Sequence, residues 1–239
     1  MTVDAVTISA RFNGPPGSGN GGYVCGVVAE AIGPSASVRL SAPPPLDAPL
    51  TRAQDGEGRV HLLAGETMIA AGHVARPGVI PPAAPTPRAA VLAAADYAGR
   101  DPQRHPFPTC FVCGPLRHDG LRIFPGPLNG DGLLACVWTP TEDLASDGLV
   151  VDPRFVWAAL DCPSGFACMP PGSQTVLATM TATLHAPVEP GRDYVVTAWP
   201  IASEGRKHRG GAAITDARGK PVALAEALWI TLRDCVSPA

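Results

Sequence analysis

Two segments of this chain are too apolar to lie on a protein surface. Gly21 to Ile32 reads GGYVCGVVAEAI, and Pro153 to Cys168 reads PRFVWAALDCPSGFAC. A helix that is apolar nearly all round has to be covered on every side. Asn20 and two glycines mark the start of the first segment, and Gly33-Pro34 marks its stop. Asp152 suits the N-cap of the second, Pro153 suits its first helical position, and Pro163 is expected to end or kink it.

Each helical segment is followed by β-like runs. After the first come Ser37–Ala42, Leu50–Gln54, Arg59–Ala64 and Thr67–Ala75. After the second come Thr175–His185, Asp193–Ala202, Gly211–Asp216 and Val222–Leu232, with turn pairs such as Asp55-Gly56 and Pro190-Gly191 between runs. Leu40-Ser41-Ala42-Pro43 and Leu184-His185-Ala186-Pro187 agree at three of four positions and fall at the same place in the two series. The chain therefore reads as two similar α+β units, each an antiparallel sheet wrapped around a central buried helix. The expected division is 1–76 for the first unit, 77–108 for a Pro/Ala-rich linker and 109–235 for the second. Ala89–Ala98 in the linker is a candidate short helix.

Composition agrees with a packed, turn-rich protein. Apolar residues make up 46% of the 239, while Gly (26) and Pro (28) are abundant. The formal net charge of −3 argues against a nucleic-acid partner. No run reaches the roughly 18 apolar residues of a membrane span, and the N-terminus lacks the basic and apolar regions of a secretory signal. The seven cysteines are scattered from Cys25 to Cys235 and are expected as reduced thiols in a cytoplasmic protein. Cys110-Phe111-Val112-Cys113 has metal-ligand spacing, and His105 and His118 flank it. A second cysteine pair at matching spacing is missing, so no metal is expected there. Cys162 has no histidine close in sequence to activate it as a nucleophile.

Three motifs resemble the hotdog-fold thioesterase superfamily, particularly its phenylacetyl-CoA thioesterase branch. SGNGGYVCG at Ser18–Gly26 is similar to the family's His-Gly-Gly loop entering the central helix, with Asn20 where the His often stands. CFVCGPLRHDGLRIF at Cys110–Phe124 is similar to the Cys-Phe-x-Cys-Gly segment of many members, and FVWAALDCPSGFA at Phe155–Ala167 places an acid inside the second helix. The resemblance implies a double hotdog, with each site built from the glycine-opened helix start of one unit and the acid of the other. The family's acid lies nine positions after the His. Nine after Asn20 is Ala29, whereas nine after Asp152 is Asp161, although Pro153-Arg154 replaces Gly-Gly there. One complementary site is thus implied, with Asn20, Gly21 and Gly22 facing Asp161.

The implied activity is acyl-CoA thioester hydrolysis, with coenzyme A part of the substrate and no separate cofactor. Asp161 would serve as general base or nucleophile, Gly22 and Gly21 would open the helix start to the carbonyl, and Asn20 would orient water or hold that carbonyl. A hydroxyl on the strand after the second helix assists the acid in resembling enzymes, which points to Thr181, with Thr179 on the same face. Tyr23 and Trp157 are candidate pocket residues, and Arg206, Lys207 and Arg209 are candidate contacts for coenzyme A phosphates. Structural roles compete at each position. Asn20 also fits a plain N-cap, Gly21-Gly22 a tight turn, Asp161 a buried cap near Pro163, the threonines ordinary strand formers and the basic run a solvated hairpin tip. The alternative function is a non-catalytic binder of acyl-CoA or a lipid-like ligand. A hydratase of the same fold would need an Asp with a His five residues later at the helix start, which neither half has. Exposed sheet edges leave a homo-oligomer open.

Overall fold

The computed structural model describes residues 3–128 and 132–233. The sequence-predicted end at residue 235, with Cys235, lies outside the described residues. The first helix, α1, spans Gly21–Ala29, and everything from Gly22 to Ala29 is buried, as its uniform apolarity requires. Around it run β1 (Val3–Thr7), β2 (Ser35–Leu40), β3 (Pro49–Gln54), β4 (Val60–Ala64) and β5 (Thr67–Val74). A short helix, α2 (Pro87–Ala94), follows, capped by Thr86, whose hydroxyl accepts from the Ala89 N–H at 3.2 Å. Then come β6 (Gly126–Leu128), β7 (Leu133–Trp138), α3 (Pro153–Cys168), β8 (Thr175–Leu184), β9 (Tyr194–Glu204), β10 (Lys207–Asp216) and β11 (Pro221–Thr231).

Among the described residues, all strands join one eleven-stranded antiparallel sheet in the order β1-β3-β4-β5-β2-β8-β11-β10-β9-β7-β6. The first five read outward-in as strand, hairpin pair, strand and inner strand; from the other side β7-β9-β10-β11-β8 repeats that order. The seam between the halves is β2 against β8, from Ser35 opposite Thr183 to Arg39 opposite Thr179. The short sequence match corresponds to a repeated geometry just beyond this seam. Ser41 and Ala42 N–H both donate to Ile69 O at 2.8 and 3.4 Å, and His185 and Ala186 N–H both donate to Val222 O at 2.7 and 3.3 Å.

α1 and α3 lie on the sheet and touch each other. α1 packs over β2, β4 and β5 and reaches β8, while α3 packs over β8, β9, β10 and β11. Their contact depends on glycine. A Cβ at Gly22 would sit 2.5 Å from Asp161 Cβ and 2.8 Å from Trp157 O, and one at Gly26 would sit 2.7 Å from Arg154 Cα. Four residues apart, Gly22 and Gly26 share a face of α1, so bare backbone meets α3 there. Asp152 caps α3 by accepting from the Arg154 N–H at 2.9 Å, with Pro153 in the first turn. Pro163 does not end the helix, which continues to Cys168.

Three strands, β1, β6 and β7, were not expected from the sequence. Among the described residues, no helix is long and apolar enough to cross a membrane.

Candidate active site

The start of α1 leaves its first N–H groups without intrahelical acceptors, the usual condition of a helix N-terminus. Asn20, the N-cap, fills one with Oδ1, which accepts from Tyr23 N–H at 2.9 Å. Asp161 reaches across from α3 and fills another: its Oδ2 accepts from Gly22 N–H at 2.9 Å and from Asn20 Nδ2 at 2.8 Å. Among the described residues no acceptor meets the Gly21 N–H. Asp161 Oδ1 is also buried without a partner. The acid of α3 therefore stands at the tip of α1, with one oxygen committed and one without a partner.

Gly21 and Asp161 both line one cavity of about 570 Å³. Its remaining wall is largely apolar, with Leu40, Leu177, Phe107, Phe166 and Trp229 contributing. Prolines supply loop walls at Pro15-Pro16, Pro43-Pro44 and Pro106. Burial pushes the Asp161 carboxyl up to about 7, against the Gly22 N–H and Asn20 bonds that pull it down. A carboxyl held near neutrality in an apolar cavity is suited to exchanging a proton with a bound reactant.

Gly22 has a different place from the one expected. Its N–H is occupied by Asp161 and its Cα faces α3, so it sets the helix contact, while Gly21 borders the cavity. Thr181 and Thr179 lie away from the cavity. Thr181 Oγ1 donates to Ser37 Oγ on β2 at 2.8 Å, and both threonines border a small surface cleft with Arg209 and Glu226. The cause is an irregularity in β8: Trp229 pairs Leu177 but Leu228 pairs Thr179, leaving Ala178 as an extra residue. Below it Thr175 and Leu177 face inward; above it Met180 and Ala182 do. The β8 hydroxyl bordering the cavity is Thr175.

Tyr23 and Trp157 do not line the cavity either. Tyr23 stacks on Phe12 with ring centroids 4.4 Å apart, and Trp157 is fully buried in the core. In the basic run, Arg209 Nη1 donates to Glu226 Oε1 at 2.9 Å and Arg206 Nη1 donates to Thr231 O at 3.2 Å. Neither these two nor Lys207 lines the cavity, because the pleat turns Lys207 and Arg209 outward on either side of buried His208. Sequence reasoning also missed the neighbourhood of Cys162. Its sulfur lies 3.7 Å from that of Cys110, and both residues, with Cys113, border the cavity. Its position directly after Asp161 was the available signal, since helix neighbours can share a broad face.

The chain is similar in structure to the tesB protein of Mycobacterium avium subsp. paratuberculosis, with a TM-score of 0.63 at 11% identity over 97% of this chain and 93% of that one. It is similar to acyl-CoA thioesterase II TesB2 from Mycobacterium marinum, with a TM-score of 0.60 at 15% identity over 98% and 94%. A conserved protein of unknown function with hot dog fold from Alicyclobacillus acidocaldarius gives a TM-score of 0.60 at 9% identity over 99% and 94%. The chain has the hotdog fold. No family model and no curated protein sequence matches it. At identities this low the likeness is one of hotdog architecture alone.

Proposed function

We propose that this protein is a thioester hydrolase of the acyl-CoA thioesterase type. The reading is carried by one observation: Asp161, with one buried oxygen left without a partner, and Gly21, with an open N–H, line the same apolar cavity. Asp161 takes a proton from a water as that water attacks the thioester carbonyl carbon. The Gly21 N–H and the positive end of α1 stabilise the oxyanion that forms. Collapse breaks the C–S bond, and protonated Asp161 returns its proton to the departing thiolate. Asn20, through Nδ2, is a positioning residue that fixes which carboxylate oxygen stays free. The apolar wall takes the acyl group. The likeness to acyl-CoA thioesterase II TesB2 of Mycobacterium marinum supports the same reading.

We further infer that the chain is a double hotdog with one working site. Its units are residues 1–76 and 109–235, joined by 77–108. The mirrored strand orders on the two sides of the β2–β8 seam support this division. At the other helix start Asp152 is paired with Arg154, whose side chain occupies the position corresponding to Gly22, and α1 offers no carboxylate nine residues after Asn20. A second reading, a binder without turnover, is favoured by the Gly22 N–H being already taken by Asp161.

A panel of acyl-CoAs assayed with wild type and Asp161→Asn separates the readings. Hydrolysis that falls by about 10²–10⁴-fold in the variant supports the enzyme. Binding of the same acyl-CoAs without turnover by wild type supports the binder.

A further inference from the structure

Two cysteines of one turn and a third from α3 meet at the cavity wall. The sulfurs of Cys110, Cys113 and Cys162 all lie within 4.8 Å of one another, and all three residues are buried. We propose that they form a zinc site with three thiolate ligands and a fourth position open to the cavity. This inference is independent of the hydrolytic reading, since it rests on the thiols and uses no step of that reaction.

The spacing fits the ion. Tetrahedral zinc with bonds of about 2.3 Å sets its sulfur ligands about 3.8 Å apart. Cys110 Sγ and Cys162 Sγ are 3.7 Å apart without rearrangement. A disulfide, in contrast, needs its sulfurs near 2.05 Å, which would draw α3 and the loop together.

The loop is built to aim two thiols at one point. Gly114 N–H donates to Cys110 O at 2.9 Å and closes a tight turn over Cys110-Phe111-Val112-Cys113. A Cβ at Gly114 would sit 2.6 Å from Cys110 N and Cys110 O, so the turn excludes any side chain there. The third thiol comes from the rigid helix α3, one residue beyond Asp161. These are soft donors in a closed, fixed arrangement, the set zinc prefers over harder cations.

The fourth ligand is not a histidine. His105 Nε2 is engaged with Tyr97 OH at 2.9 Å, and its Nδ1 accepts from Phe107 N–H at 3.0 Å. His118 is exposed and does not border the cavity. Because all three cysteines line the cavity, the remaining vertex faces it and is filled by water. Binding replaces three S–H bonds by three Zn–S bonds and releases three protons. The ion would tie the loop 110–114 to α3 and stiffen the cavity wall next to Asp161.

The test uses the full chain, reduced and stripped with a chelator, and titrated anaerobically with Co²⁺. One equivalent is expected to raise thiolate-to-cobalt charge-transfer and tetrahedral ligand-field absorption, and Zn²⁺ should abolish both. Cys110→Ser and Cys162→Ser should lose these bands, and Cys168→Ser should keep them. X-ray absorption of the wild-type zinc form should count three sulfurs and one lighter atom, which keeps the test decisive if a variant fails to fold. Absent bands in fully reduced wild type overturn the site. So does a Cys162→Ser variant that keeps them, or a sulfur count other than three.

Discussion

Asn20 Nδ2 donates a 2.8 Å hydrogen bond to Asp161 Oδ2 across 141 residues of sequence. The bond joins the two helices at the point where the cavity begins. It also gives Asn20 two separable duties, since Oδ1 caps α1 while Nδ2 holds the acid.

Substituting Asn20 should separate these duties. Asn20→Ser keeps an oxygen for Tyr23 N–H and replaces the amide donor to Asp161 with a shorter hydroxyl that does not reach from the same place. Its melting temperature should stay close to wild type while acyl-CoA hydrolysis drops by about tenfold or more, the worth of a bond to a charged group. Asn20→Ala loses the cap as well and should cost about 1 kcal/mol of stability besides. Thermal melts read beside steady-state rates check both; equal rates in Asn20→Ser and wild type would show that Asp161 needs no such holder.

Gly22 and Gly56 should respond oppositely to alanine. A Cβ at Gly22 meets Asp161 and the α3 backbone, whereas one at Gly56 meets nothing within 4 Å. Gly22→Ala is expected to lose about 1–3 kcal/mol through overpacking. Gly56→Ala is expected to be neutral or to gain about 0.4–1 kcal/mol by restricting the unfolded chain. Urea melts of the two variants check this, and a Gly22→Ala protein as stable as wild type would mean that the helices can separate freely.

Asp152 predicts an acid-side stability change. Burial pushes its carboxyl up, but the side-chain and backbone hydrogen bonds and the charge of Arg154 outweigh it and hold it below the usual range. A carboxyl depressed on folding stabilises above its unfolded pKa, about 3.9, and loses that contribution as pH falls through the folded value. The melting-temperature gap between wild type and Asp152→Asn should therefore be constant from neutral pH to about 4 and shrink below it. A gap independent of pH down to 2 would remove Asp152 from the acid response.

Moving the cavity hydroxyl offers a further check. Thr175→Val keeps the shape of a wall residue bordering the cavity, while Thr181→Val alters a residue on the surface cleft. The first should change the KM for acyl-CoAs; the second should leave both kcat and KM within about twofold, as distant surface changes usually do. Reversed effects would place the substrate on the other side of the sheet.

Much of this was legible in the chain. Helical segments apolar on every side announced their burial, and LSAP and LHAP marked equivalent corners because the same pair of N–H groups grips one carbonyl at each. The nine-residue spacing from Asp152, taken from the family resemblance, drew attention to Asp161, the carboxylate that meets Asn20 and Gly22. Threonine alternation on β8 was read correctly as a shared face, but one extra residue at Ala178 reverses which face looks inward, and period-2 reasoning has no means of sensing it. β7, LLACVW, has no alternation, since burial on both sides erases the pattern that identifies a half-exposed strand. Cys162 was hidden for another reason: its partners come from a loop 52 residues away, a proximity set only by tertiary packing.

Where α1 meets α3, the bare backbone of Gly22 and Gly26 rests directly on the α3 main chain and on the first side-chain carbons of Asp161 and Trp157. Two rods in such contact have little freedom to slide or splay, so the tip of one and the acid of the other travel as a single block. Any accommodation of bulkier or slimmer guests must then fall to the proline-edged rim, which can be remodelled over evolution without disturbing the reactive pair.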